Sequence, residues 1–294
     1  MPTVYLGTSE FAAAVLDRLA GSAAHRPSLV VTRPDRPKGR GRKLQSPPVA
    51  DTARALGIAL AQPDDVNAPD AVAQIAAEAP TAVIVCAFGA LLKEPLLSDF
   101  ELVNVHPSLL PRWRGAAPVE RAMMAGDERT GVAIMRVTAG LDSGPVYAVA
   151  EEPIAPDDTY GTLAPRLEEL AGDLLLDVLD RGPEPVEQTE DGVTYAEKIT
   201  AEDRTIDPYA DPLAAERTVR ALSPHIGARL PLPSGDMLGV LRARADGDAP
   251  GGEGLRARDG RLFAGGLELL EIQPPGKRPM DAASYVRGHD IPEA

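Results

Sequence analysis

Asn104-Val105-His106-Pro107-Ser108-Leu109-Leu110-Pro111-Arg112-Trp113-Arg114-Gly115-Ala116-Ala117-Pro118 is the stretch from which the rest of the chain can be read. An apolar strand over residues 102–105 runs into it. Strand side chains alternate between faces, so Asn104 and His106 point to the same side. Pro107 and Pro111 then bound a turn, and open α/β sheets hold ligands beyond the carboxyl ends of their strands. An Asn at a strand end is by itself a turn former, and a lone His is usually structural. The two together at a strand end make a candidate site, which the acidic residue of Leu141-Asp142-Ser143-Gly144 can join from a later tight loop.

Outward from this stretch, short apolar runs alternate with amphipathic ones. Strands are expected at 4–6, 29–32, 81–87, 102–105, 131–137 and 146–149. The first helix is capped by Ser9 and turns Phe11, Val15, Leu16 and Leu19 to one face. Further helices are expected at 49–56, 68–77, 115–124 and 162–179. This alternation predicts an α/β fold with a doubly wound, mainly parallel sheet, Rossmann-like in kind. Arg181-Gly182-Pro183-Glu184-Pro185 stops the last helix. The catalytic domain therefore takes residues 1–185, and a linker takes 186–205. Residues 206–294, with one helix at 213–222 and short strands near 229–232, 237–242, 255–258, 261–264 and 267–272, predict a small C-terminal β-barrel.

The chain of 294 residues carries a formal net charge of -14, which argues against general affinity for nucleic acid. Distribution qualifies that. Residues 32–46 hold Arg33, Arg36, Lys38, Arg40, Arg42 and Lys43 against Asp35 alone. Pro and Gly punctuate this segment so that neither helix nor strand is expected to persist, leaving an exposed basic loop suited to an RNA phosphate chain. It is not a P-loop, because Lys43 is followed by Leu44 and no helix begins there. No Gly-x-Gly-x-x-Gly follows the first strand, so no nicotinamide cofactor is expected. The N-terminus lacks the pattern of a signal peptide and no apolar run would span a membrane, so a cytoplasmic protein is expected. Cys86 is the single cysteine and is expected to pack as a small apolar residue.

Asn104, His106 and Asp142, with no Ser or Cys nucleophile signature beside them, suit direct attack of an external nucleophile on a carbonyl. Asn104 can donate to the developing oxyanion, His106 can donate or relay a proton, and Asp142 can orient the imidazole and accept the proton of an attacking amine. A catalytic zinc normally takes three protein ligands. His106 and Asp142 supply two, and His25, His225 and His289 lie in unrelated segments, so no metal is expected.

The segment from Asn104 to Pro111, taken with Leu141-Asp142-Ser143-Gly144, resembles the signature of the folate-dependent formyltransferases. The continuation through Arg112-Trp113-Arg114-Gly115-Ala116-Ala117-Pro118 resembles the methionyl-tRNA formyltransferase branch. So do Thr32-Arg33-Pro34-Asp35-Arg36-Pro37 with Gly39-Arg40-Gly41, Tyr195-Ala196-Glu197-Lys198-Ile199, and Leu269-Leu270-Glu271-Ile272-Gln273-Pro274-Pro275-Gly276-Lys277. The resemblance implies formyl transfer from 10-formyltetrahydrofolate to the α-amino group of methionyl-initiator tRNA, with Asn104, His106 and Asp142 catalytic. It also implies folate contacts at Phe88, Gly89, Ser108, Leu109, Leu110 and Pro111, and a basic loop reaching the tRNA through Arg36, Lys38, Arg40, Arg42 and Lys43, with Arg40 the best match for a key arginine. An oligonucleotide-binding-like C-terminal barrel that contacts tRNA and a monomeric state complete the expectation. Two features depart from the pattern. Pro107 is more like the glycinamide ribonucleotide formyltransferases, which keeps a small amine acceptor, a purine precursor or an amino sugar, as the alternative. Residues 206–294 hold eleven basic against thirteen acidic residues, so tRNA contacts there are expected to be local, as at Arg229, Lys277 and Arg278.

Overall fold

The computed structural model describes residues 2–38 and 43–293. β1 (Thr3–Gly7) leads into α1 (Glu10–Ala20), whose first turn Ser9 caps by accepting from the Ala12 amide at 3.2 Å. There follow β2 (Pro27–Val31), β3 (Arg36–Lys38), β4 (Lys43–Gln45), α2 (Pro48–Leu56), β5 (Ala59–Ala61), α3 (Pro69–Ala77), β6 (Ala82–Cys86), α4 (Leu96–Asp99) and β7 (Leu102–His106). Next come β8 (Arg114–Gly115), α5 (Pro118–Ala125), β9 (Arg129–Arg136), β10 (Val146–Pro153), α6 (Tyr160–Arg181) and β11 (Tyr195–Ala196). The remainder comprises α7 (Pro212–Leu222), β12 (Ala228–Pro231), β13 (Met237–Ala245), β14 (Leu255–Arg258), β15 (Arg261–Ala264), β16 (Leu267–Gln273), β17 (Met280–Asp281) and α8 (Ala282–Gly288). Two compact units result. One takes Met1–Pro118, Arg129–Pro153 and Ala164–Ala196, the other Val119–Glu128, Ile154–Leu163 and Glu197–Ala294.

The first unit is built on a seven-stranded sheet in the order β10-β9-β7-β6-β1-β2-β5. β7, β6, β1, β2 and β5 are mutually parallel, while β9 runs antiparallel to β7 and β10 antiparallel to β9. β1 and β6 are buried along their whole length, which is why they read as continuous apolar runs rather than as alternating ones. Val4, Leu6, Val83 and Val85 pack with Leu29, Val31, Ile75 and Leu96 in one core. The chain leaves β1 toward β2 on one side of the sheet, and leaves β6 toward β7 on the other. The carboxyl ends of β1 and β6 therefore open a crevice, the position where such sheets take ligands. Cys86 closes β6 fully buried, and burial pushes its thiol up to about 12, so it packs as an inert apolar group.

Three local features differ from the sequence reading. The basic segment forms a two-stranded antiparallel ribbon rather than a structureless loop, with Arg36 opposite Gln45 and Lys38 opposite Lys43. Pro37 is tolerated there because a two-stranded ribbon is all edge, so the missing N–H need not leave a central ladder incomplete. The helix expected from residue 115 begins at Pro118, because Arg114 and Gly115 are drawn into a parallel pair with Tyr195 and Ala196. Residues 186–196, expected as linker, are hydrogen-bonded into the first unit. Val186 and Val146 exchange backbone bonds at 2.8 Å in each direction.

In the second unit, β12-β13-β16-β15-β14 form an antiparallel sheet, with β17 beside β16. α7, capped by Asp211 at the Ala214 amide, packs Val219 into a core with Leu230, Leu238, Val240, Leu262, Leu269 and Ile272. The register of the opposite face sets Arg244 beside Glu268, Glu268 beside Phe263, and Phe263 beside Arg256. By alternation Arg258 and Arg261 share that face. The guanidinium groups of Arg258 and Arg261 lie 5.2 and 4.8 Å from the centre of the buried Phe263 ring. Arg121 makes a bidentate pair with Asp203 at 2.7 and 3.0 Å, and this contact holds the Asp203 carboxyl down to about 2.

Candidate active site

β7 delivers Asn104 and His106 to one side of the sheet, and the loop between β9 and β10 brings Asp142 to them. Asn104 Nδ2 donates to Asp142 Oδ1 at 3.3 Å, and His106 Nδ1 lies 3.8 Å from Asp142 Oδ2. His106 is buried, and its Nε2 is 2.8 Å from the Trp113 carbonyl oxygen. A carbonyl can only accept, so Nε2 carries the hydrogen, and Nδ1 is the nitrogen turned to Asp142. The Gly115 amide donates to Asp142 Oδ2 at 2.9 Å. One carboxylate thus meets an amide side chain, an imidazole and a backbone N–H.

Holding this arrangement requires unusual backbone. Trp113 and Asp142 have φ of 66° and 43°, the left-handed region that costs a non-glycine residue on the order of 1 kcal/mol or more. Gly115 has φ 126°, and a Cβ there would sit 2.7 Å from the Ala196 carbonyl oxygen, so only glycine lets the chain approach β11 while its N–H reaches Asp142.

The three side chains line a cavity of about 490 Å³ whose other walls include Phe88, Gly89, Leu92, Val105, Met135 and Val137. A second cavity, of about 620 Å³, is lined by Thr8, Ser9, Glu10, Arg33, Arg36 and Gln45 among others, and shares Ala87, Phe88 and Gly89 with the first. Gly89, at φ 75°, makes the turn between them, and its carbonyl accepts from Arg33 at 2.8 Å. Among the described residues no group of three His, Cys, Asp or Glu side chains could hold a metal ion. No helix among them is long and apolar enough to cross a membrane.

Residues 1–179 match the family model described as formyl transferase, and residues 198–290 match formyl transferase, C-terminal domain. The methionyl-tRNA formyltransferase of Halorhodospira halophila is 42% identical over 304 residues, covering 98% of this chain and 96% of its own. That of Streptomyces coelicolor is also 42% identical, covering 100% and 98%. The chain belongs to the methionyl-tRNA formyltransferase family. A solved structure of HypX from Aquifex aeolicus in complex with tetrahydrofolic acid shares the fold at a TM-score of 0.64 and 16% identity, over 99% of this chain and 48% of that one.

Within this family member, the residues singled out from sequence fall into three groups. Asn104, His106 and Asp142 come together, and Phe88 and Gly89 form a wall of the same cavity. Ser108, Leu109, Leu110 and Pro111 are not among the residues lining it. The Ser108 hydroxyl is fully buried and donates to the Arg112 carbonyl at 2.7 Å, and Leu109 packs over Gly131 of β9. Ser108 and Leu109 thus brace the turn after β7. Arg36 and Lys43 stand exposed on the ribbon, Lys38 lies in β3, and Arg40 and Arg42 fall outside the described residues.

Sequence reasoning missed Arg114 and Gln188. Arg114, buried, directs Nε and a terminal nitrogen to Gln188 Oε1 at 3.1 and 2.9 Å. Gln188 Nε2 donates to the carbonyls of Asp142 and Gly144, both at 2.8 Å. A glutamine in a Pro- and Gly-rich segment gives no periodic signal, so only the folded chain brings it to the site.

Proposed function

We propose that the chain transfers the formyl group of 10-formyltetrahydrofolate to the α-amino group of methionyl-initiator tRNA in the cytoplasm. The observation that carries this reading is the meeting of Asn104, His106 and Asp142 at one largely apolar cavity in a member of this family. The amine nitrogen attacks the formyl carbon, and the carbonyl π pair moves onto oxygen. Asn104 spends one Nδ2 hydrogen on Asp142 and keeps the other for that oxyanion, an interaction worth on the order of 3 kcal/mol when preorganised. His106 acts through Nδ1, since Nε2–H is held by Trp113. Asp142 accepts the proton lost by the amine. Collapse breaks the bond from the formyl carbon to N10 of the folate, N10 takes up the proton that Asp142 received from the amine, and formyl-methionyl-tRNA and tetrahydrofolate leave.

The two cavities suit two substrates. The first, with Phe88 and Gly89 in its wall, fits the folate and its formyl group. The second, flanked by Arg33 and Arg36, fits the aminoacylated end of the tRNA, with the ribbon of β3 and β4 against the adjacent phosphates. The arginine-rich sheet face of the second unit offers a further phosphate contact that the near-balanced charge of residues 206–294 conceals. Glu268 lies low in that face, its carboxyl lowered by hydrogen bonds from Arg261 and then Arg244, leaving guanidinium groups outermost. The deciding assay offers charged initiator tRNA, an amino sugar nucleotide and a purine-precursor amine as acceptors with the same formyl donor. Formylation of the tRNA alone is the expected result. Turnover with a small amine and none with tRNA would overturn the assignment.

A further inference from the structure

Asp142 is held in its left-handed conformation by groups on two sides. Its carboxylate accepts from the Gly115 amide, and its main-chain carbonyl accepts from Gln188 Nε2. The same Nε2 reaches Gly144, at which a Cβ would stand 2.1 Å from the Arg136 carbonyl oxygen, so this loop is pressed directly onto β9. Both hydrogens of the Gln188 amide are used on the loop, and its oxygen takes both bonds from Arg114. The neighbouring charges are few. Arg114 has an exposed Glu190 carboxylate at 4.0 Å, and Asp142 faces His106 and Asn104. Residues 186–196 also touch the other left-handed residue, because Thr194 Oγ1 accepts from the Trp113 amide at 2.9 Å and the Arg114 amide donates to the Thr194 carbonyl at the same distance. Trp113 in turn presents the carbonyl that orients His106. One short strap therefore touches the backbone behind both the imidazole and the carboxylate.

We infer that Gln188 is a positioning residue for the transfer, setting the Asp142 loop so that the carboxylate lies between Gly115, Asn104 and His106. The inference rests on the proposed role of Asp142. Gln188 has no direct contact with the reacting atoms in this arrangement and acts through the peptide of Asp142. Gln188→Glu discriminates this role from simple packing. It keeps the volume and strengthens the contact with Arg114, but replaces the donor to two carbonyls with an acceptor.

With a misplacement of the order of 1 Å costing roughly 100-fold in rate, kcat of Gln188→Glu is expected to fall about 100-fold, while KM for both substrates stays within about threefold. The Gly115 amide reports the geometry without turnover. Its 15N–1H resonance in glycine-labelled protein should move upfield, and its exchange with solvent should quicken, as the bond to Asp142 is lost. Gln188→Met, neutral and of similar length, is read in the same way if the charged variant does not fold. A kcat within about threefold of the parent in either folded variant, or a Gly115 resonance that stays in place, overturns the inference. If the parent itself fails to formylate tRNA, the functional reading falls, but the Gly115 resonance still decides whether Gln188 sets the loop.

Discussion

The trio site and the basic ribbon are both polar, but they are built on opposite principles. Around Asn104, His106 and Asp142 both carboxylate oxygens and the imidazole Nε2 are hydrogen-bonded, the backbone is held in costly conformations, and His106 is buried. Among the described residues the ribbon of β3 and β4 pairs only with itself, and Leu44 on it is 70% exposed. Chemistry needs groups fixed before the substrate arrives. Docking a polyanion needs charge within reach, and its geometry can be settled on contact. Substitutions in the two regions should therefore separate kcat from KM.

The largest effect should come from the trio itself. His106→Ala and Asp142→Asn are each expected to lower kcat by about three orders of magnitude with little change in KM, read by single-turnover formylation. A loss expressed mainly in KM would erase the contrast between the two regions. Asn104→Ala should cost somewhat less, on the order of 100-fold, because it removes one oxyanion donor and leaves the proton path in place. On the ribbon, Arg36→Ala and Lys43→Ala should leave saturating kcat intact and raise KM for tRNA several-fold. Each should also flatten the salt dependence of tRNA binding by about one phosphate contact. Unchanged salt slopes in both variants would remove the ribbon from the docking surface.

The smallest effect lies away from both regions. Asp203 is held down to about 2 by Arg121, so its contribution to stability is full above the unfolded carboxylate range near pH 4 and is lost as pH falls through about 2. The pair is partly solvated, which brings its worth to about 1 kcal/mol. In Arg121→Met, acid unfolding followed by circular dichroism should show a lower stability at pH 6 that narrows below pH 4 and converges on the parent only below about pH 2. A constant offset across that range would mean the pair contributes by packing alone.

Much of the first unit was legible in the sequence because its signals are local. The alternation around Asn104 and His106, the Ser9 cap and the apolar runs of β1 and β6 depend on neighbours a few residues away. The antiparallel direction of β9 and β10 was not legible, since an apolar run has the same composition whichever way it is paired. Gly115 looked helical until Ala196, about 80 residues later, claimed it as a strand partner. Gln188 and Thr194 gave no pattern at all, because their worth comes from two carbonyls and one amide they meet only after folding. The arginine face of the second unit was hidden for a related reason: its members come from β13, β14 and β15, and a register shift near Arg242 breaks the alternation.

The pairing of β8 with β11 also fixes an order of events during synthesis. Trp113, Gly115 and Asp142 cannot be locked by Thr194, Ala196 and Gln188 until the chain has been extended through residue 196. By then every strand of the seven-stranded sheet has been made, since β10 is complete at Pro153. The pairing of Thr3 with Ala82 spans nearly as many residues, but its partners are made long before residue 196. The nascent protein thus passes through a stage with every strand of its sheet made and the Asp142 loop still unfastened, and activity should emerge only after residue 196 when synthesis is followed by both compactness and turnover.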